Sequence, residues 1–143
     1  MPEALVAFLR ARLTERETAA LAAGGGGDDS SWRALGTGVY SAAASLADDV
    51  PPLATTGPEV GGSDEDAALA EHIALHDPAH ALREIEAVRQ LLRRYEEPGS
   101  SDALPDSANR LSAAAERGAL LLAVRHLALP HSGHPDYLAV WRP

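Results

Sequence analysis

The sequence predicts a mainly α protein: a three- to four-helix bundle with a long acidic insertion that has room for a short β-hairpin. Three observations predict it. Apolar residues recur at helical spacing over four separate stretches. Clusters of Gly, Pro and acids punctuate those stretches. The acidity is concentrated in one place, since residues 24–66 carry eight Asp or Glu and a single Arg in a chain whose net charge is −9. The 143 residues fit a single domain, 1–143.

The first helix is expected over residues 3–22. Leu5, Phe8, Leu9, Leu13 and Leu21 fall near one stripe, with Arg10, Arg12, Glu15 and Glu17 mostly off it. Four glycines, Gly24 to Gly27, end it, because glycine gains least from helical backbone. Residues 24–63 then form the insertion, flexible or hairpin-containing. Val39 and Tyr40 after Gly36-Thr37-Gly38 read as a short strand, and Ala-rich 41–49 is open to a short helix. Pro51-Pro52, Gly57-Pro58 and Gly61-Gly62 exclude anything longer.

Helix resumes over 64–76. Ser63 is the expected N-cap, and Asp64, Glu65 and Asp66 suit the positive end of the helix dipole. Asp77-Pro78 marks a junction: proline disfavours helical geometry at Asp77 but fits the first position of a following helix that Asp77 caps. That helix is expected over 78–97, with Leu82, Ile85, Val88, Leu92 and Tyr95 inward and Pro98-Gly99 as its stop. The last long helix is expected over 106–128, capped by Asp106 or Ser107. From Gly118 to Leu129 it is apolar nearly all round, the pattern of a central helix. The tail, 130–143, is expected to fold back so that Tyr137 and Trp141 cover the bundle.

Composition excludes several functions. There is no Cys, so disulfides, thiolate metal sites and Cys nucleophiles are out. All twelve basic residues are Arg, without a basic patch, so no nucleic-acid partner is expected. No apolar run approaches the ~18 residues of a membrane span, and Met1-Pro2-Glu3 lacks the basic start of a signal peptide. No membrane partner is therefore expected, and cytoplasmic residence is. Aromatics are only 4% of the chain, so the core must be built from Ala, Leu and Val, which favours modest stability helped by self-association, with a homodimer as the simplest form.

Candidate chemistry centres on Glu71 to Pro78. His72 and His76, at i and i+4, share a helix face at metal-ligand spacing. In the metalloprotease pattern H-E-x-x-H a Glu follows the first His as general base; here Ile73 stands there and Glu71 precedes, turned about 200° away at about 100° per residue. A metal site would need further ligands, with Asp77, His80, His131, His134 and Asp136 the available donors. The bland alternative is a pair of structural histidines at a helix edge. Arg83 and Glu86, or Glu86 and Arg89, can pair at i,i+3 on the next helix as a solvated face. His134-Pro135-Asp136-Tyr137 in the tail either anchors the last turn or faces a ligand. No phosphate-binding glycine loop and no nucleophile elbow is present.

The stretches His72-Ile73-Ala74-Leu75-His76-Asp77-Pro78, Leu82-Arg83-Glu84-Ile85-Glu86-Ala87-Val88-Arg89, Leu127-Ala128-Leu129-Pro130, His134-Pro135-Asp136-Tyr137 and Trp141-Arg142-Pro143 resemble a family of small actinobacterial and phage proteins of unknown function. The resemblance extends to Phe8-Leu9-Arg10-Ala11-Arg12-Leu13 and Trp32. It implies a hairpin-like stretch after Trp32, over about residues 32–56. Two departures matter: many members carry cysteines between the third and fourth helices where residues 98–117 have none, and Tyr usually follows the Leu-Pro where His131 stands. Any zinc role resting on those cysteines is thereby ruled out.

Two functions follow as expectations. The first is a non-enzymatic binding or regulatory protein acting through protein contacts, with no resident cofactor. The second is a divalent-metal-binding protein, or a metal-dependent enzyme, using His72, His76 and a tail ligand such as His134.

Overall fold

A computed structural model describes residues 2–24, 30–44, 50–58, 61–97 and 107–143, with the side chains of the last stretch from Arg110 onward. The protein is mainly α, with four helices and a small antiparallel sheet among the described residues. In chain order these are α1 (Pro2–Ala22), β1 (Trp32–Leu35), β2 (Gly38–Ser41), β3 (Ala54–Thr55), α2 (Asp64–Leu75), α3 (Pro78–Glu96) and α4 (Ser107–Ala128). Short 3₁₀ turns follow at Leu129–His131 and Ala139–Trp141. Several expected features lie outside the described residues: Gly25 to Gly27, the 45–49 part of the Ala-rich stretch, the Pro98-Gly99 stop and the Asp106 cap. The chain forms two compact units, Glu15–Ile85 and Met1–Thr14 with Glu86–Pro143, so α1 and α3 each contribute to both.

The Glu15–Ile85 unit is built on backbone geometry. β1 and β2 form a hairpin with Trp32 opposite Ser41 and Leu35 opposite Gly38. The two-residue loop is Gly36-Thr37. Gly36 has φ +58°, and among the described residues none other than glycine takes a positive φ, which fits a turn demanding glycine at its first position only. β3 adds to β2 with Val39 opposite Ala54. Of the Ala-rich stretch, Ser41 ends β2 and residues 42–44 form a turn.

α2 packs on this sheet. Its Ala70 and Ala74 are buried with Val39, and Trp32, Ala34 and Ile73 close the edges of that small core. Alanines four apart leave the helix face smooth enough for a sheet to approach closely. α2 starts with a capping box: the Ser63 hydroxyl accepts the Asp66 N–H at 3.1 Å, and the Asp66 carboxylate accepts the Ser63 N–H at 2.9 Å. These bonds from Ser63 hold the Asp66 carboxyl below its ordinary range. Close approach also dictates glycine at position 62, where a Cβ would come within 2.4 Å of the Thr37 methyl and 3.0 Å of the Pro58 carbonyl oxygen.

The second unit is built on side-chain volume. Leu5, Phe8, Leu9 and Leu13 of α1, Leu92 and Tyr95 of α3, Val124 and Ala128 of α4, and Trp141 of the tail are all buried. Arg94 of α3 reaches Glu116 of α4 at 2.6 Å, and the Arg117 guanidinium lies 5.5 Å over the Tyr95 ring. α4 departs from the expectation of a central helix. Its Leu120, Val124 and Ala128 side faces inward, but Leu111 is 72% and Leu122 49% exposed, and Ala114, Ala115, Gly118 and Ala119 between them are exposed as well. Among the described residues no element lies against that outer face, so an all-round apolar sequence here marks one buried side and one open side.

Candidate functional site

The α2–α3 junction positions the histidines. Asp77 is buried; one carboxylate oxygen accepts the His80 N–H at 2.6 Å and the other accepts the Trp32 N–H at 3.2 Å. The first bond caps α3, with Pro78 at its first position. The second ties the first residue of β1 to the same carboxylate. Each Asp77 oxygen thus holds a backbone N–H, which gives the side chain a structural role at the junction.

His72, His76 and His80 follow one another along the surface of this junction. The His72 and His76 rings lie 4.4 Å apart and the His76 and His80 rings 6.2 Å apart. The Nδ1 of His76 stands 2.8 Å from the His72 carbonyl oxygen, which can only accept, so Nδ1 carries the proton and Nε2 is left with its lone pair outward in the neutral ring. His72 and His76 are exposed. His80 faces the Glu84 carboxylate at 3.4 Å, and Arg16 donates to the other Glu84 oxygen at 2.8 Å. That Arg16 bond is the main reason the Glu84 carboxyl is held below its ordinary value. Among the described residues no group of three or more His, Asp or Glu is arranged to hold a metal ion.

The tail residues belong to the other unit. Phe8 is the hub: His131, His134, Tyr137 and Trp141 surround its ring at centroid distances of 6.1, 5.7, 6.0 and 5.1 Å. Arg12 meets Nε2 of His134, and the Asp136 N–H points at His134 Nδ1 at 3.1 Å. Both donors lie inside the same unit as His134, and because a neutral imidazole has one acceptor nitrogen the ring can accept from one of them at a time. The Asp136 carboxylate is exposed, 3.8 Å from His134. Tyr137 packs edge-on against Trp141, and among the described residues neither the Tyr137 hydroxyl nor the Trp141 indole N–H, both buried, has a hydrogen-bond partner.

Of the α3 candidates, Arg83 is exposed. Glu86 accepts from Gln90 at 3.2 Å and from Arg93 at 2.7 Å, and the Arg93 bond chiefly lowers its carboxyl pKa. The sequence-predicted histidines thus divide between a strip on one unit, with His72 and His76, and an aromatic knot on the other, with His134, while Arg83 and Glu86 belong to neither.

Three features escaped the sequence. One is an open cavity of about 550 Å³ beside the hairpin, walled by Tyr40, Pro51 and Pro52. Its wall depends on Gly38, since a Cβ there would come within 2.5 Å of the Tyr40 ring. Another is a cleft of about 240 Å³ walled by arginines of α1 and α3. The third is the outer face of α4, which was findable: Leu111, Ala115, Gly118 and Leu122 lie at i, i+4, i+7 and i+11, a stripe distinct from the one carrying Leu120 and Val124.

Among the described residues no helix is long and apolar enough to cross a membrane. No curated protein and no solved structure matches the chain. A family model does match, over residues 2–143, and by that match the chain belongs to DUF6221, a family of unknown function.

Proposed function

We propose that the protein is a non-enzymatic binding protein that works through protein contacts, that the outer face of α4 is its docking surface, and that a second copy of the chain is its first partner. The observation that carries this is the stripe of Leu111, Ala115, Gly118 and Leu122, two exposed leucines flanking two small exposed residues, with no charged side chain between them on that face. Apolar side chains clustered in this way at a surface mark interaction sites rather than scatter. The stripe reads the same in both directions. A second α4 laid antiparallel places leucine over leucine and small residue over small residue, and a Cβ at Gly118 would meet nothing within 4 Å, so a neighbouring backbone has room to approach.

Twelve residues rise only about 18 Å along a helix, so the strip is smaller than the roughly 800 Å² per partner of a standard stable interface. The dimer is accordingly weak and concentration-dependent. Sedimentation equilibrium from micromolar to near-millimolar protein tests it: the wild type should show a rising mass that Leu111→Glu and Leu122→Glu abolish. A strict monomer throughout the range would refute the proposal. The reading carries with it the helix bundle as the way the helices share a core, and cytoplasmic residence as the setting.

A second reading, divalent-metal binding, is favoured by the His72–His76 pair. The neighbouring rings and the outward Nε2 of His76 suit a two-imidazole chelate completed by water. Calorimetric titration of the native protein with Zn²⁺ tests it. Binding should disappear in His76→Ala, and absence of binding to the wild type would remove this reading while leaving the first intact.

A further inference from the structure

The cleft between α1 and α3 in the Met1–Thr14 and Glu86–Pro143 unit has a character opposite to that of the chain. The protein carries a net charge of −9, yet this cavity of about 240 Å³ is lined by Arg10, Thr14, Arg89, Leu92 and Arg93. Arg10 and Thr14 sit one turn apart on α1, and Arg89 and Arg93 one turn apart on α3, so each helix presents one continuous strip to the opening. Leu92 is buried and serves as an apolar floor. The Thr14 hydroxyl donates to the Arg10 carbonyl at 2.9 Å, so the cationic donors of the cleft are its three guanidiniums.

We infer that this cleft binds a small phosphate-bearing anion through Arg10, Arg89 and Arg93. Guanidinium forks match tetrahedral oxyanions by paired, charge-assisted hydrogen bonds. A single carboxylate fills one fork, whereas a phosphate has oxygens for three. The volume falls below the roughly 300 Å³ at which pockets for drug-sized ligands begin, so the cleft suits inorganic phosphate, pyrophosphate or a small phosphate ester rather than a whole nucleotide.

Two carboxylates already attend these arginines. Glu96 pairs with Arg10, and Glu86 accepts from Arg93 at 2.7 Å. The side chains in both pairs are 41–56% exposed, which makes them water-accessible pairs of the kind that contribute little and exchange readily. Arg89 also acts electrostatically on Glu86. An arriving phosphate competes with these exposed carboxylates and meets three cations.

The test is isothermal titration of the full chain with inorganic phosphate and with pyrophosphate at low ionic strength. Both should bind, pyrophosphate the tighter. Arg10→Gln and Arg93→Gln should each weaken binding about tenfold or more, the scale of a hydrogen bond to a charged group. Glu86→Gln and Glu96→Gln should tighten it by up to about fivefold, because each removes an internal competitor. Arg142→Gln, in the exposed tail, should change nothing. The opposite signs of the Arg and Glu variants are a signature that a purely structural role for these pairs would not produce. The inference is overturned by no heat of binding at about 10 mM phosphate, tenfold above a millimolar dissociation constant. It is equally overturned by affinities that the cleft substitutions leave unmoved, or by a nucleotide binding far more tightly than pyrophosphate.

Discussion

The two compact units reach the folded state by different means. In Glu15–Ile85 the determinants are backbone positions: a glycine-led turn, a capping box, a carboxylate holding two amides and glycines against which other groups press. Its core is small, with Val39, Ala70 and Ala74 at the centre. In the other unit the determinants are bulky side chains, with Phe8 ringed by His131, His134, Tyr137 and Trp141. A region held by volume is broken by removing atoms. A region held by close backbone approach is broken by adding them.

That contrast is tested first where the effect is largest. Phe8→Ala removes the hub of the aromatic knot and should cost about 3–5 kcal/mol in urea denaturation, the range for truncating a buried Phe. Loss under 1 kcal/mol would show that the tail packs without it. Next comes Asp77→Ala. It removes a helix cap and leaves the Trp32 and His80 amides without their acceptor, for a combined loss of about 2–4 kcal/mol. Asp77→Asn should recover only part of it, since its single amide oxygen can cap α3 but its NH2 cannot accept the Trp32 N–H; full recovery would show that the Trp32 bond contributes nothing.

A gain of one methyl group should then do what deletions do elsewhere. Gly62→Ala forces Thr37 or the Pro58 carbonyl to move and should cost about 1–3 kcal/mol. Gly118→Ala, where a Cβ meets open space and the backbone is helical, should stabilise the monomer by up to about 1 kcal/mol. If the two substitutions behaved alike in thermal melts, the contrast between the units would fail.

The smallest effect is electrostatic. The folded-state carboxyl of Glu84 is held below its ordinary value of 4.5, chiefly by Arg16. A depressed carboxyl stabilises the fold above the unfolded value and loses that contribution as pH falls through the folded one. Because the pair is 42% and 47% exposed, water screening limits it to roughly 0.2–1 kcal/mol. Arg16→Gln should therefore lower stability slightly at neutral pH and make no difference near pH 2, as measured by denaturant midpoints at both.

Much of the helical fold was legible because its signals are local. Ser63 with Asp66 and Asp77-Pro78 each act within a few residues, and capping and proline geometry need no tertiary context. The strand at Val39-Tyr40 was readable from the glycines before it. β3 was not, because two exposed residues, Ala54 and Thr55, carry no hydrophobic alternation and owe their conformation to pairing with β2. The His72–His76 spacing was plain, but the continuation of the strip to His80 was hidden by the proline between them. The acceptance of the Trp32 amide by Asp77 had no local signal at all, since it joins residues 45 apart. Apolar content misled for α4, because composition reports how greasy a helix is and not how many of its sides find company.

Asp77 has one more consequence, and it concerns time rather than energy. A single carboxylate guards the amide that opens α3 and the amide that opens β1. Neither proton is released to solvent while the other stays bound unless the carboxylate divides its attention by rotating. In native-state hydrogen exchange the Trp32 and His80 amides should therefore open as one event with a shared rate, so that strand and helix report the same clock.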